Sequence, residues 1–183
     1  AGAGPVDLRE VTLRGPDETL TPQTLYEIAA EKSKPGLYPD WLRKRQVYWT
    51  LTGIPGDRQE SLLDEYGNLE PVAGGSCVMP YVFSGGELLS AFDAKAVTPS
   101  LDDGYLPLPA VTWDLGTLSL TVEAVTSGGT DNSITYARYR LSNPSDQPQA
   151  ARLFLAIRPL QINPPWQYGG LSEIRSLEFA DAP

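Results

Sequence analysis

Apolar and polar residues alternate with a period of two over long stretches of this chain. Leu118, Leu120, Val122 and Ala124 alternate with Thr117, Ser119, Thr121 and Glu123. Ala151, Leu153, Leu155 and Ile157 alternate with Arg152, Phe154, Ala156 and Arg158. Successive side chains on a strand point to opposite faces, so this period marks β-strands. Ile134 to Leu141 reads as a strand between them, entered by a polar turn over Ser127 to Ser133 and left through Asn143-Pro144-Ser145-Asp146. The three strands are expected to pair as an antiparallel meander.

Upstream, Arg45 to Ile54 is aromatic and β-branched and reads as a strand that turns at Pro55-Gly56-Asp57. Ser61 to Leu63 and Leu69 to Val72 flank Glu65-Tyr66-Gly67-Asn68, a hairpin turn in which Gly and Asn tolerate positive φ. A helix over Arg58 to Glu65 competes for the first arm. Ser76 to Phe83 and Glu87 to Ala91 form a second hairpin about Ser84-Gly85-Gly86, and Lys95 to Pro109 reads as a long loop holding Asp102-Asp103-Gly104. Helical spacing occurs once. Thr21 offers a cap, Pro22 fits the first turn, Leu25, Ile28 and Ala29 share a face, and Pro35-Gly36 stops the run. Val6 to Leu13 suits a lead-in strand. The expected fold is all-β, a large antiparallel β-sandwich with one short N-terminal helix. It divides into a lead-in over 1–36, a sandwich over 37–175, and a strand cut short at 176–183. These form one domain, expected to be a piece of a longer protein.

Composition narrows the chemistry. The net charge of −9 disfavours nucleic acid, whose phosphates need clustered Lys and Arg, and it disfavours anionic membrane surfaces. No apolar run approaches the roughly 20 residues that span a bilayer, and Ala1-Gly2-Ala3-Gly4 has neither the basic start nor the apolar core of a signal peptide. The compartment stays open. The chain has no histidine, which excludes Ser-His-Asp and Cys-His catalysis and every His-containing zinc site. Its one cysteine, Cys77, lies in an apolar strand beside Val78 and Met79 and reads as a buried structural thiol. Asp64 and Glu65, like Asp102 and Asp103, are sequence neighbours that a strand would point to opposite faces, so neither pair supplies the facing carboxyls of a glycosidase. Asp102-Asp103-Gly104 and Asp131-Asn132 lack the regular ligand spacing of a calcium loop. No metal, cofactor or catalytic residue is expected.

Three segments together carry a family resemblance: Tyr105-Leu-Pro-Leu-Pro-Ala-Val-Thr-Trp113, Tyr136-Ala-Arg-Tyr-Arg-Leu-Ser-Asn143, and Leu153-Phe-Leu-Ala-Ile-Arg-Pro-Leu-Gln-Ile-Asn-Pro-Pro-Trp-Gln167. Tyr48-Trp-Thr-Leu-Thr-Gly53 and Ser61-Leu-Leu-Asp-Glu-Tyr-Gly67 fit the same pattern. From about Leu37 to Ile174 the chain resembles the N-terminal β-sandwich of large bacterial proteins with a six-hairpin glycosidase-like helical barrel. Some of these are labelled discoidin or coagulation factor 5/8 type for other attached domains. The resemblance implies a supersandwich of the galactose-mutarotase-like kind, packed on a helical domain that supplies the catalytic carboxylates.

The aromatic residues are the better lead to a binding surface, because sugar rings stack on exposed aromatic faces. Trp49 and Trp113 lie in or beside strands and read as core. Trp166 follows Pro164-Pro165, which cannot enter a sheet interior. With Tyr168, and supported by Arg158, Gln161 and Asn163, it is expected either to pack on a partner domain or to line a ligand cleft. Three functions stay open: a non-catalytic accessory domain of a carbohydrate-active protein, packed against the helical remainder of its own polypeptide; an independent carbohydrate-binding module; and a structural or adhesion-type interaction domain.

Overall fold

The computed structural model describes residues 20–178; the expected Val6–Leu13 strand lies outside them. The chain is an all-β sandwich with one short helix. Helix α1 (Pro22–Lys32) is capped as its sequence dictates, with the Thr24 N–H donating to the Thr21 hydroxyl at 3.1 Å. Its last carbonyls are satisfied from outside, by Arg43 Nη2 donating to the Ala30 and Ser33 oxygens at 2.6 and 2.5 Å.

Sheet A holds β1 (Trp49–Gly53), β2 (Glu60–Asp64), β3 (Leu69–Glu70), β4 (Cys77–Ser84), β5 (Glu87–Leu89) and β10 (Ala151–Arg158), in the order β1-β2-β3-β4-β10 with β5 also on β4. Sheet B is the meander β6 (Ala96–Asp102), β7 (Leu106–Asp114), β8 (Ser119–Gly129) and β9 (Asn132–Ser142). The middle of sheet A, β2 to β4, is covered on both faces. Leu63, Leu69 and Val82 pack with Val111, Trp113, Leu120 and Val122 of sheet B. Leu62, Cys77, Met79 and Tyr81 point the other way, into a cluster with Ala30, Trp41, Leu160 and Ile162. A third layer, made of α1, the 3-10 turn Asp40–Arg43 and the segment after β10, therefore lies on the far side of sheet A. Double coverage explains why β2 and β4 are apolar without alternation.

Stitches of main-chain and polar contacts hold the third layer. Trp41 Nε1 donates to the Gln161 carbonyl at 2.9 Å, the Cys77 N–H to the Leu160 carbonyl at 2.9 Å, and the Ile162 N–H to Glu70 Oε2 at 2.6 Å. Glu70 is fully buried and also accepts from the Gly74 N–H at 2.6 Å.

Several sequence expectations change. β10 does not extend the meander. It crosses to sheet A and pairs with β4 along its whole length, from Ala151 opposite Ser84 to Arg158 opposite Cys77. Leu153 packs toward sheet B and Ala156 toward the opposite cluster, as a strand of sheet A requires, and the connection 143–150 is too long for a tight hairpin. The expected loop Lys95–Pro109 is a hairpin: β6 pairs with β7 and turns where Asp103 and Gly104 take positive φ. Its Pro99 is tolerated because β6 is an edge strand. The Ser127–Ser133 turn shrinks to Thr130-Asp131, since the β8–β9 ladder runs on to Gly129 opposite Asn132. Of Arg45–Ile54 only Trp49–Gly53 is strand, and Arg58–Glu65 yields β2 rather than a helix. Ser176–Glu178 has no strand, and the rest of the expected C-terminal strand lies outside the described residues.

Candidate functional site

A concavity of sheet B results from a split in that sheet. β6–β7 and β8–β9 are two hairpins joined side by side from Asp114 opposite Ser119 to Ala110 opposite Glu123. Beyond that pair they diverge. The cause is Pro109. Pro99 stands opposite Val111 and Pro109 opposite Leu101 in the β6–β7 ladder. Neither proline has an N–H to give, so neither pair is a hydrogen-bonded one, and Pro109 turns its polar edge toward β8. There the next rung needs an N–H from residue 109. Proline lacks it, and the ladder stops.

The resulting fork encloses a cleft of about 550 Å³. Ser100, Asp102, Leu108 and Pro109 line one arm; Glu123, Val125, Tyr136 and Arg138 line the other. Glu123 and Arg138 are directly opposite each other in the β8–β9 ladder. Their contact is bidentate, with Arg138 Nε to Glu123 Oε2 at 2.5 Å and Nη2 to Oε1 at 2.8 Å. The hydrogen bond from Arg138 holds the Glu123 carboxyl below its usual range, so it stays ionised at neutral pH. Tyr136 is 55% exposed and Val125 stands opposite it. The walls thus combine apolar side chains with a preorganised ion pair and the Asp102 carboxylate.

The carboxyls with raised pKa lie elsewhere. Asp64 is fully buried in the β2–β3 turn, where burial pushes it up to about 7 against three donors: the Tyr66 N–H at 2.9 Å, the Asn68 N–H at 2.8 Å and Asn68 Nδ2 at 2.7 Å. Burial also raises Asp40, which has Arg45 at 3.6 Å. Cys77 is buried and its thiol is pushed up to about 12, so it has no nucleophilic thiolate at neutral pH. Among the described residues, no three carboxylates, cysteines or histidines cluster as a metal site would require.

The residues singled out from the sequence separate into two sets. Arg158 lies over the Tyr38 ring, its guanidinium carbon 4.7 Å from the centroid. Gln161 Nε2 donates to the Leu171 carbonyl at 3.0 Å, and the Asn163 carbonyl accepts from the Gly170 N–H at 2.8 Å. Gln161 and Asn163 belong to the third layer, and Arg158, the last residue of β10, packs its side chain against it. Trp166 and Tyr168 project from it. The 3-10 turn Pro165–Gln167 leaves Trp166 50% exposed, and Tyr168, at φ 64°, is fully exposed. None of the five lines the fork, which belongs to sheet B. Sequence reasoning missed Glu123, Tyr136 and Arg138. A two-residue turn centred on Thr130-Asp131 would have set Glu123 opposite Arg138.

Comparison with protein-family models, curated proteins and solved structures finds no match to this chain.

Proposed function

We propose that this chain is a non-catalytic saccharide-recognition domain whose ligand enters the fork of sheet B, as one part of a carbohydrate-active protein. The observation that carries the reading is the pairing of a half-exposed tyrosine with a bidentate carboxylate–guanidinium pair inside one cleft. A sugar presents an apolar ring face and vicinal hydroxyls. The Tyr136 ring suits the first. Glu123 and Arg138 supply fixed acceptors and donors for the second and neutralise each other, and the Asp102 carboxylate in the same lining disfavours an anionic ligand. The volume lies within the range of small-ligand clefts. Support for a non-catalytic role is electrostatic: Glu123 is held ionised, whereas a glycosidase needs a carboxylic acid kept protonated.

Calorimetry of the chain against a panel of neutral oligosaccharides tests this. Tyr136→Ala and Arg138→Ala should each weaken binding at least about tenfold, the loss of roughly 1.4 kcal/mol expected for one stacking or charge-assisted contact. Absence of binding by the unaltered chain across the panel refutes the reading.

A second reading rests on Trp166 and Tyr168. Two exposed aromatic side chains on a short rigid turn suit packing against a further domain. In that case Trp166→Ala leaves the stability of the isolated chain within about 0.5 kcal/mol of the parent, while weakening its association with that domain.

A further inference from the structure

Strand β10 ends sheet A: its eight residues pair with β4 on one side, and no strand lies on the other among the described residues. Edge strands are normally protected by prolines, bulges, short length or charges along the strand. β6 carries Pro99 and a register shift at Leu101/Asp102, β1 is five residues long, and β9 carries Arg138 and Arg140. β10 has none of these within its central Leu153–Ile157 run. It is apolar on both faces, with Phe154 46%, Leu155 46% and Ile157 41% exposed. A strand apolar on both faces is the pattern of an interior strand.

The open side carries free main-chain groups at known positions. Leu155 stands opposite Pro80. Pro80 has no N–H, so this is not a hydrogen-bonded pair, and the N–H and C=O groups of Leu153, Leu155 and Ile157 point away from β4. Arginines bracket the run. Arg152 is exposed, and Arg158 has a buried Nε without an acceptor. A second copy pairing antiparallel about Leu155 would set Arg152 against Arg158 at both ends, and like charges directly opposite are unfavourable. The occupant must therefore bring main-chain groups, apolar side chains on both faces, and negative charge at both ends.

We propose that the β10 edge receives an extended strand of a partner polypeptide, with carboxylates six residues apart flanking an apolar run, so that they meet Arg152 and Arg158. This is strand addition, in which main-chain hydrogen bonds give affinity and side-chain alternation gives specificity. The surface is independent of the fork, since the two belong to different sheets.

The test uses the full chain and a synthetic peptide, Glu-Val-Tyr-Val-Thr-Val-Glu with blocked ends, followed by amide exchange and NMR titration. The Leu153, Leu155 and Ile157 amides should exchange rapidly in the free chain and gain at least tenfold protection with the peptide. Replacing both Glu residues by Lys should weaken binding at least tenfold, and Arg152→Glu should reduce or reverse that preference. Leu155→Lys should abolish binding; an unchanged melting temperature would show that the fold survives, and Leu155→Thr is the milder variant if it does not. Three results overturn the proposal: no binding at millimolar peptide, protection of these amides in the free monomer, or a dimer in sedimentation with the same amides protected.

Discussion

Asp64 is a carboxyl whose partners and burial pull in opposite directions. Three donors favour its charged form, and desolvation, the larger effect, favours the neutral one, leaving it at about 7. Its unfolded value is near 3.9. Between these values the unfolded chain has lost a proton that the folded chain retains. Its contribution is thus fully present below about pH 4 and is lost as pH rises through 7, with a slope of up to about 1.4 kcal/mol per pH unit. Asp64→Asn should flatten this slope in urea titrations between pH 4 and 8. It should lower stability at pH 5 by no more than about 1 kcal/mol, because Oδ1 still accepts two backbone N–H groups while the Asn68 amide can turn to present its oxygen. Asp64→Ala strands those donors in the interior and should cost about 3 kcal/mol. Gly169 is equally constrained on steric grounds. A Cβ there would lie 2.0 Å from the Asn163 carbonyl oxygen, so Gly169→Ala should displace the turn that carries Trp166, seen as a shift in Trp fluorescence.

At the scale of elements, one imino acid decides the shape of sheet B. Pro109→Val restores an N–H facing β8 and should lengthen the β7–β8 ladder by a rung. The expected signs are a slowly exchanging amide at residue 109 and saccharide binding weakened at least about tenfold as the fork narrows. Of the strands beside the fork, β8 was legible from alternation and β9 as the strand after it, and so was α1 from its cap and stop signals, whereas β6 and the start of β7 were read as loop. The fork itself was not. Proline was read as loop chemistry over Lys95–Pro109, because sequence gives its preference but not which of its sides faces a neighbouring strand. The partner of β10 was also illegible, since alternation marks a strand and leaves its sheet open; it took the long 143–150 connection and two apolar faces to place it on β4. Trp113 was correctly read as core, with its indole N–H on the Tyr66 carbonyl at 2.9 Å. Trp166 and Tyr168 were picked out as exposed aromatic residues, but the sequence could not show that Arg158, Gln161 and Asn163 serve the third layer instead.

For the whole molecule, carboxyls raised by burial sit about sheet A: Asp40, Asp64, Glu65 and Glu70. Those lowered by donors lie nearer the surface. Glu27 is held by Gln23 and Lys44, Glu123 by Arg138, and Asp93 by Lys34 and Ser90 against the cost of its own burial. The raised group contributes stability that fades as pH climbs above about 4, and the lowered group contributes stability that fades below it. A melting-temperature maximum between about pH 4 and 6, with a decline toward pH 8, is the expected profile by calorimetry. The stitched third layer also has a consequence in time. Sheet B is made of neighbours in sequence, whereas β4 must wait for β10, and the buried Glu70 must wait for Ile162, 92 positions later. During synthesis sheet B can close soon after residue 142 emerges, while sheet A stays half built with its apolar faces open. The ribosome therefore presents a nascent chain whose earliest strands are the last to be sealed, and slowing translation near residue 150 should lengthen the period in which chaperones can capture it.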